Sequence, residues 1–424
     1  MHTGSAIHQC TTCSCARTPP AMIATSSGMG RPRPAANSVR KSPAYVKCSM
    51  NCWIMAYTDT RVSTSPRRVV LHTESSLGLG GQEIRILTES RWLLEHGWDV
   101  VIACQPASRL RAEASAADLS VFSLTMRNAF DVAAAVTLRR LIRQLDIGIV
   151  HTHSSVDSWL ATLAARSARR PVVRSRHVSI PILRRRALVY RLADRVLTTG
   201  DAIRTIVVAA GVPDDRVVSV PAGVDTTRFH PGVSGKTVRD ELGLNGPAIG
   251  LVANIRGSKG HNDFLDAALL VRRHVPAARF VIVGDGVGFD DVHRRVHALG
   301  LANHVVMTGF RRDVPEVMAA LDLLVLPSTR SEATSQVIPQ ALAVGTPVVA
   351  TVVGGIPEIV KDGVTGRLVP PGEPDALARA IVEMISDTER AHIMAQAGQA
   401  LVRERFTVDA MMAATTSVYA SLMR

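Results

Sequence analysis

From about Arg67 onward, short apolar runs alternate with amphipathic stretches of helical length. In the first half the strand-like runs are RVVLHT, DVVIAC, IGIVHTH, PVVRSRH and RVLTTG, separated by segments such as EIRILTESRWLLEHG whose apolar positions recur with helical spacing. A second series follows FHPGVSGK and comprises AIGLVANI, RFVIVGDG, HVVMTGF, LLVLPS and TPVVAT, again with helical segments between them. Nearly continuous apolar strands alternating with helices predict parallel sheets covered on both faces. The pattern therefore predicts an α/β chain of two doubly wound domains, residues 67–235 and 236–405. Phe406 to Arg424 reads as a final helix without a following strand, expected to pack back towards the first domain.

Composition supports sizeable cores, since 46% of the 424 residues are hydrophobic, although aromatics are few. No run approaches the roughly 18 consecutive apolar residues of a membrane span, and the N-terminus lacks an export-type apolar region. The expected location is the cytoplasm. Residues 1–66, rich in Ser, Thr, Pro, Ala and Arg without periodicity, read as a disordered extension. Cys10, Cys13 and Cys15 lie in it, but no matched second pair of zinc-site type follows them. The formal charge of +13 suits nucleic acid, an anionic membrane or phosphorylated substrates, and selects none of them.

Ligands of open parallel sheets collect beyond the carboxyl ends of the strands, so the strand-to-helix loops are where chemistry is expected. ESSLGLGGQE places Gly80 and Gly81 where a phosphate or sugar can approach backbone N–H groups, or where a tight turn is simply needed. It is not a GxGxxG dinucleotide loop. IGIVHTH sets His151 and His153 on one side of a strand end, as satisfied polar residues or as reactive ones; a metal there would need further ligands. Arg256 and Lys259 in VANIRGSKGH can neutralise a diphosphate or line a solvated loop. In LLVLPSTRSEATSQVIPQALAVGTPVVATVVGG a strand ends at Pro327, Glu332 stands in a polar loop, Gln340 lies in a helix ended by Gly345, and Gly354 and Gly355 follow the next strand.

That last segment resembles the signature of family 4 glycosyltransferases, GT-B enzymes with two facing Rossmann-like domains. GGQE, HTH, VPAGVDTTRFHP, IRGSKGH and VGDGVGFD resemble further family segments in the same order, over about residues 67–424. The resemblance implies a retaining, nucleotide-sugar-dependent hexosyltransferase that works without a metal or other cofactor. It implies that Arg256 and Lys259 hold the donor diphosphate and that Glu332 contacts the donor sugar, with Ala333, Thr334 and Ser335 beside it. Gln340 falls where the family's second Glu grips the ribose, and Phe310 and Arg311 approach the base. His153 stands beside the reacting sugar from the opposite domain, and Gly80 and Gly81 face phosphate or acceptor. Two positions depart from the pattern: Gln340 replaces Glu, and Ala-Thr-Ser stands where Gly-Phe-Gly is frequent. Those departures leave open a donor-binding inactive relative. A nucleotide-dependent oxidoreductase, lacking its glycine fingerprint here, is the more distant alternative.

Between Arg166 and Arg195 lie ten arginines opposed only by Asp194. Mixed signs are usual on solvated surfaces, so an anionic partner is expected; nucleic acid is not, for want of interleaved aromatics. The segment belongs to the acceptor-side half. The expected acceptor is an anionic glycolipid or glycan of cell-envelope polysaccharide or lipopolysaccharide synthesis, with peripheral contact at the inner membrane face.

Overall fold

The computed structural model describes residues 68–183, 187–330, 332–333 and 335–423. The expected extension, Thr334 and Arg184 to Arg186 lie outside the described residues. The first sheet contains β1 (Val69–Glu74), β2 (Asp99–Cys104), β3 (Val121–Ser123), β4 (Ile149–Thr152), β5 (Val172–Arg176), β6 (Arg195–Thr198) and β7 (Val217–Ser219). Its seven parallel strands run in the order β3-β2-β1-β4-β5-β6-β7. The second sheet contains β8 (Ala248–Val252), β9 (Arg279–Val283), β10 (Val305–Gly309), β11 (Leu323–Leu326), β12 (Val348–Thr351) and β13 (Arg367–Val369). Its six parallel strands run β10-β9-β8-β11-β12-β13.

Parallel sheets put helices on both faces, so their strands are apolar on both sides. Val70, Leu71, Val101, Ile102, Ile249, Leu251, Leu324 and Val349 accordingly have no exposed surface. Each such side chain contributes about 1.5–3 kcal/mol on burial. Helix Gly81–Glu95 covers the first sheet through Ile86, Leu87 and Leu93, and the final helix, Val408–Leu422, joins that same core through Met411, Met412, Val418 and Tyr419. The chain thus crosses back after the second sheet. The return is fixed at Val224, whose N–H donates to the Phe406 carbonyl (2.7 Å) and whose carbonyl accepts from Val408 N (3.1 Å).

Strand order reverses direction between β1 and β4 in one sheet and between β8 and β11 in the other. At such a switch point the neighbouring loops diverge to opposite faces and leave a crevice. The glycine loop after β1 and His153 after β4 flank the first crevice; Arg256–Lys259 after β8 and Glu332 after β11 flank the second.

Candidate active site

In the second half, three loops lock together. After β8 the chain turns through Arg256, a short 3-10 turn (Gly257–Lys259) and Gly260, then enters helix His261–His274. Gly260 has φ 71°, and a Cβ there would meet the Pro327 carbonyl oxygen at 1.8 Å. Thr329 N donates to the Ser258 carbonyl (2.9 Å), tying this loop to the one after β11. Glu332 is nearly buried, pairs with the Lys259 ammonium and accepts from Ser328 Oγ (3.1 Å). Its backbone carbonyl in turn accepts from Gly355 N (3.3 Å). The Lys259 charge and the Glu332 carboxylate are therefore held in one place by loops packed at Gly260 and Gly354, where an added Cβ would collide with the Pro327 and Glu332 carbonyl oxygens. Arg256 is exposed and has no ion-pair partner among the described residues. Burial first, and then the Lys259 ammonium, pull His261 down to about 4, so it adds no charge here.

In the first half, the loop after β1 is cross-laced by carboxylates. Glu83 accepts from Gly80 N (2.7 Å) and from Ser76 Oγ, and Glu74 accepts from Ser76 N (2.7 Å) and from the Gln82 amide. Burial and the neighbouring Asp157 push the Glu74 carboxyl up to about 7. Asp157, at the start of helix Ser155–Ser167, accepts from His153 N (3.0 Å) and Thr73 Oγ1 (3.0 Å) and so joins the ends of β1 and β4. Behind these loops His72, His151 and His153 gather on the sheet face covered by Arg85 and Glu89, all five being buried.

The halves meet across a cavity of about 280 Å³ lined by Gly80, Gly81, Gln82, Glu83, Arg85, His177, Val178, Thr199 and Ala222 on one side and Ala333 and Gln336 on the other. Glu358, in the short helix Ile356–Ile359, accepts from Asp201 N and Ala202 N, each at 2.9 Å, and so caps helix Asp201–Ala209 of the opposite half.

With this geometry in place, the relatives can be compared. The family model for glycosyltransferase family 4 matches residues 79–228, and that for glycosyl transferases group 1 matches residues 237–401. The GDP-mannose-dependent alpha-(1-6)-phosphatidylinositol monomannoside mannosyltransferase of Mycolicibacterium smegmatis is 32% identical over 62% of this chain and 74% of its own length. The chain belongs to glycosyltransferase family 4. A second relative, the Escherichia coli UDP-Gal:alpha-D-GlcNAc-diphosphoundecaprenol alpha-1,3-galactosyltransferase, is 26% identical over 77% of this chain and 90% of its own. Among solved structures, Anabaena Alr3699/HepE in complex with UDP superposes with a TM-score of 0.76 at 24% identity, covering 84% of this chain and 100% of that one. The two-sheet architecture is thus the GT-B fold, and the protein is a hexosyltransferase of that family.

The family 4 site residues read from the sequence are not all brought to one place. Gly80, Gly81 and Ala333 line the cavity between the halves, while Arg256, Lys259, Glu332 and the nearly buried Ser335 belong to the interlocked loops beside it. Gln340 lines a separate cavity of about 520 Å³ together with Gln336, Arg228 and Thr88. Phe310 is exposed, whereas the Arg311 side chain is turned away to Glu241 (2.7 Å) and Asp313 (2.9 Å), which hold it charged. His153 is 3% exposed and does not line the cavity; the histidine that does is His177, the last residue of the strand-like PVVRSRH. Its sequence signal was its position at a strand end, the same signal that singled out His153. Of the arginine cluster, Arg174 is buried over the Tyr190 ring (3.9 Å), Arg176 donates to Tyr190 Oη (2.6 Å) and Arg166 pairs with Asp194 (3.0 Å). No helix among the described residues is long and apolar enough to cross a membrane.

Proposed function

We propose that the protein transfers a hexosyl group, with retention of configuration, from a nucleotide-diphosphate sugar to a hydroxyl of a glycan or lipid-linked acceptor in cell-envelope glycan synthesis. The observation that carries this reading is the placing of an exposed Arg256, without an ion-pair partner among the described residues, beside a fixed Lys259 in the loop at the β8/β11 switch point. Two cations there stabilise the charge that gathers on the nucleotide diphosphate as the glycosidic C–O bond breaks and its electron pair leaves with the phosphate. They supply the electrostatics for which a divalent ion would otherwise serve, and no metal or other cofactor is assigned to the step. The acceptor oxygen forms the new bond from the leaving-group face, and its proton passes to the departing phosphate oxygen on that face. Glu332, pinned by Lys259 and Ser328, orients the donor sugar, and Gln340 meets the ribose. His153 stands in the opposite half behind the cavity wall, with Gly80 and Gly81 turned to phosphate or acceptor.

Relatives that use GDP-mannose or UDP-galactose, and a structural neighbour that holds UDP, support a nucleotide-sugar donor. The lipid-linked acceptors named for the first two support an acceptor presented at a membrane, which the protein would meet as a peripheral visitor through the basic segment. The test is a panel of nucleotide sugars read by thermal shift and donor hydrolysis, repeated with EDTA. One donor should raise the melting temperature and be hydrolysed with or without chelator; a panel without any response would refute the reading.

A further inference from the structure

Resting on that reading, we infer that His177 presents a hydrogen-bond acceptor to a substrate hydroxyl in the cleft, and that His153 and His72 are positioning residues behind it whose proton order is set by Glu89. The parallel register of β1 and β4 sets His72 directly opposite His151, and His153 follows two residues on. Three of the imidazoles then form a file. His72 Nδ1 lies 2.9 Å from His153 Nε2, and His153 Nδ1 lies 3.3 Å from His177 Nε2, with the successive rings stacked. His151 stands outside the file, its two nitrogens engaged by Tyr419 Oη (2.6 Å) and Ser175 Oγ (2.8 Å).

At the inner end of the file His72 Nε2 and Glu89 Oε2 are buried and have no hydrogen-bond partner among the described residues. They belong to residues whose ligand-type atoms gather within 4.8 Å of one another. The other Glu89 oxygen takes Arg85 Nε at 2.6 Å. Burial holds all three rings of the file neutral, and Arg85, Arg174 and Arg176 reinforce this at His177.

A neutral imidazole has one N–H and one lone pair, so the file must point one way along its whole length. The Glu89 carboxylate acts electrostatically on His72, and with Nδ1 engaged by His153 the nitrogen left to carry an N–H in that field is Nε2. His72 Nδ1 then accepts from His153 Nε2–H, His153 Nδ1 accepts from His177 Nε2–H, and the lone pair left over is His177 Nδ1. The opposite order would leave a lone pair rather than an N–H at that nitrogen in the field of a buried carboxylate, which the low dielectric of the interior makes the costlier arrangement. His177 lines the cavity with Gly80, Gly81, Ala333 and Gln336. A lone pair there suits an O–H, from donor sugar or acceptor, and repels phosphate oxygens.

The experiment uses the full chain labelled with nitrogen-15 histidine. Long-range proton–nitrogen correlation reports which nitrogen of each ring is protonated, and H177N and H72Q assign the signals. His177 should show a bare Nδ1 and a protonated Nε2 through the ordinary histidine titration range, and E89Q should move part of the proton to Nδ1. A proton on His177 Nδ1 in the parent, or stoichiometric zinc found by metal analysis of the purified protein, would overturn the inference. In turnover of UDP-glucose or GDP-mannose, H177N, whose side-chain oxygen stands near the Nδ1 position, should stay within about tenfold of the parent. H177Q and H177A should lose about a hundredfold in kcat/KM. Full activity in a folded H177A would also overturn it. The nitrogen spectra decide the proton order by themselves, so failure of both donors with the parent would fall on the functional reading alone.

Discussion

Replacing Gly354 with alanine tests whether the glycine pair after β12 exists to seat Glu332. Gly354 has φ 55°, and an added Cβ would lie 1.9 Å from the Glu332 carbonyl oxygen, 2.8 Å from its carbonyl carbon and 3.1 Å from its nitrogen. All three are backbone atoms, so no side-chain rotation relieves the contact. An ordinary Cβ contact is at least 3.4 Å, which requires Glu332 or the turn to shift by about 1 Å or more. The left-handed backbone costs alanine a further ~1–2 kcal/mol. Gly363 supplies the control: its φ is 70° and nothing lies within 4 Å of its added Cβ, so G363A carries the backbone strain without the collision.

Both variants should therefore melt lower than the parent, by about 2–4 °C for each kcal/mol lost, with G354A the worse of the two. Activity should separate them more sharply. A displacement of about 1 Å at a positioned group costs on the order of a hundredfold in rate, so G354A should lose about that much in kcat while G363A keeps the parental value. The assay is steady-state kinetics with the donor identified by the nucleotide-sugar panel, on protein shown to be folded by its melting transition. A G354A enzyme with parental kcat would refute the argument that this turn positions Glu332.

If Glu332 orients the donor sugar as proposed, Glu332→Ala should lower kcat and kcat/KM together, whereas Gln340→Ala should mainly raise the donor KM and Gln340→Glu should retain activity; steady-state kinetics checks all three. Glu358→Ala removes the cap that one half places on the other's helix, and should increase the radius of gyration measured by small-angle scattering in the absence of donor. The Glu74 carboxyl, raised above its ordinary 4.5 to about 7, stabilises the fold most below the lower value, and that contribution is lost as pH rises through the upper one. Melting curves of E74Q should therefore be flatter than the parent's between those values, with a difference of about 1–3 kcal/mol at the alkaline end.

The strand pattern was legible wherever a strand lay inside a sheet. The strands absent from the sequence reading are β3, β7 and β13, each of three residues and each at a sheet edge. Three residues give no measurable period, and an edge strand lacks the two-sided apolar signal of its neighbours. The loops of the second half could be located because glycines or charged residues follow its apolar runs, Arg256 to Gly260 after β8, Glu332 after β11 and Gly354 with Gly355 after β12. The histidine file was not. His72 looks like one polar residue in an apolar run, and His177 lies 105 positions further on; only the parallel register β1-β4-β5 brings them into line. The same folding removed part of what composition suggested, since Arg166, Arg174 and Arg176 are spent on Asp194 and Tyr190 rather than on a common surface.

The two halves divide the work by charge. The second half supplies cations beside the cleft, Lys259 held by Glu332 and Arg256 exposed without an ion-pair partner among the described residues. The first half supplies groups kept neutral: Glu74 raised by burial, and His72, His153 and His177 lowered by it. A surface of neutral acceptors and closely approached backbone favours hydroxyls, since the cation on that side, Arg85, is already paired with Glu89. A nucleotide sugar should then bind to the second half before the first closes over it, with Glu358 on Asp201 and Ala202 as the contact that closure completes. Hydrogen exchange distinguishes this order from a permanently closed cleft. Donor should protect the loops around Arg256 and Glu332 in both the parent and Glu358→Ala, but should protect the start of helix Asp201–Ala209 in the parent alone. Equal protection of that helix in both proteins would show that the Glu358 cap does not report closure.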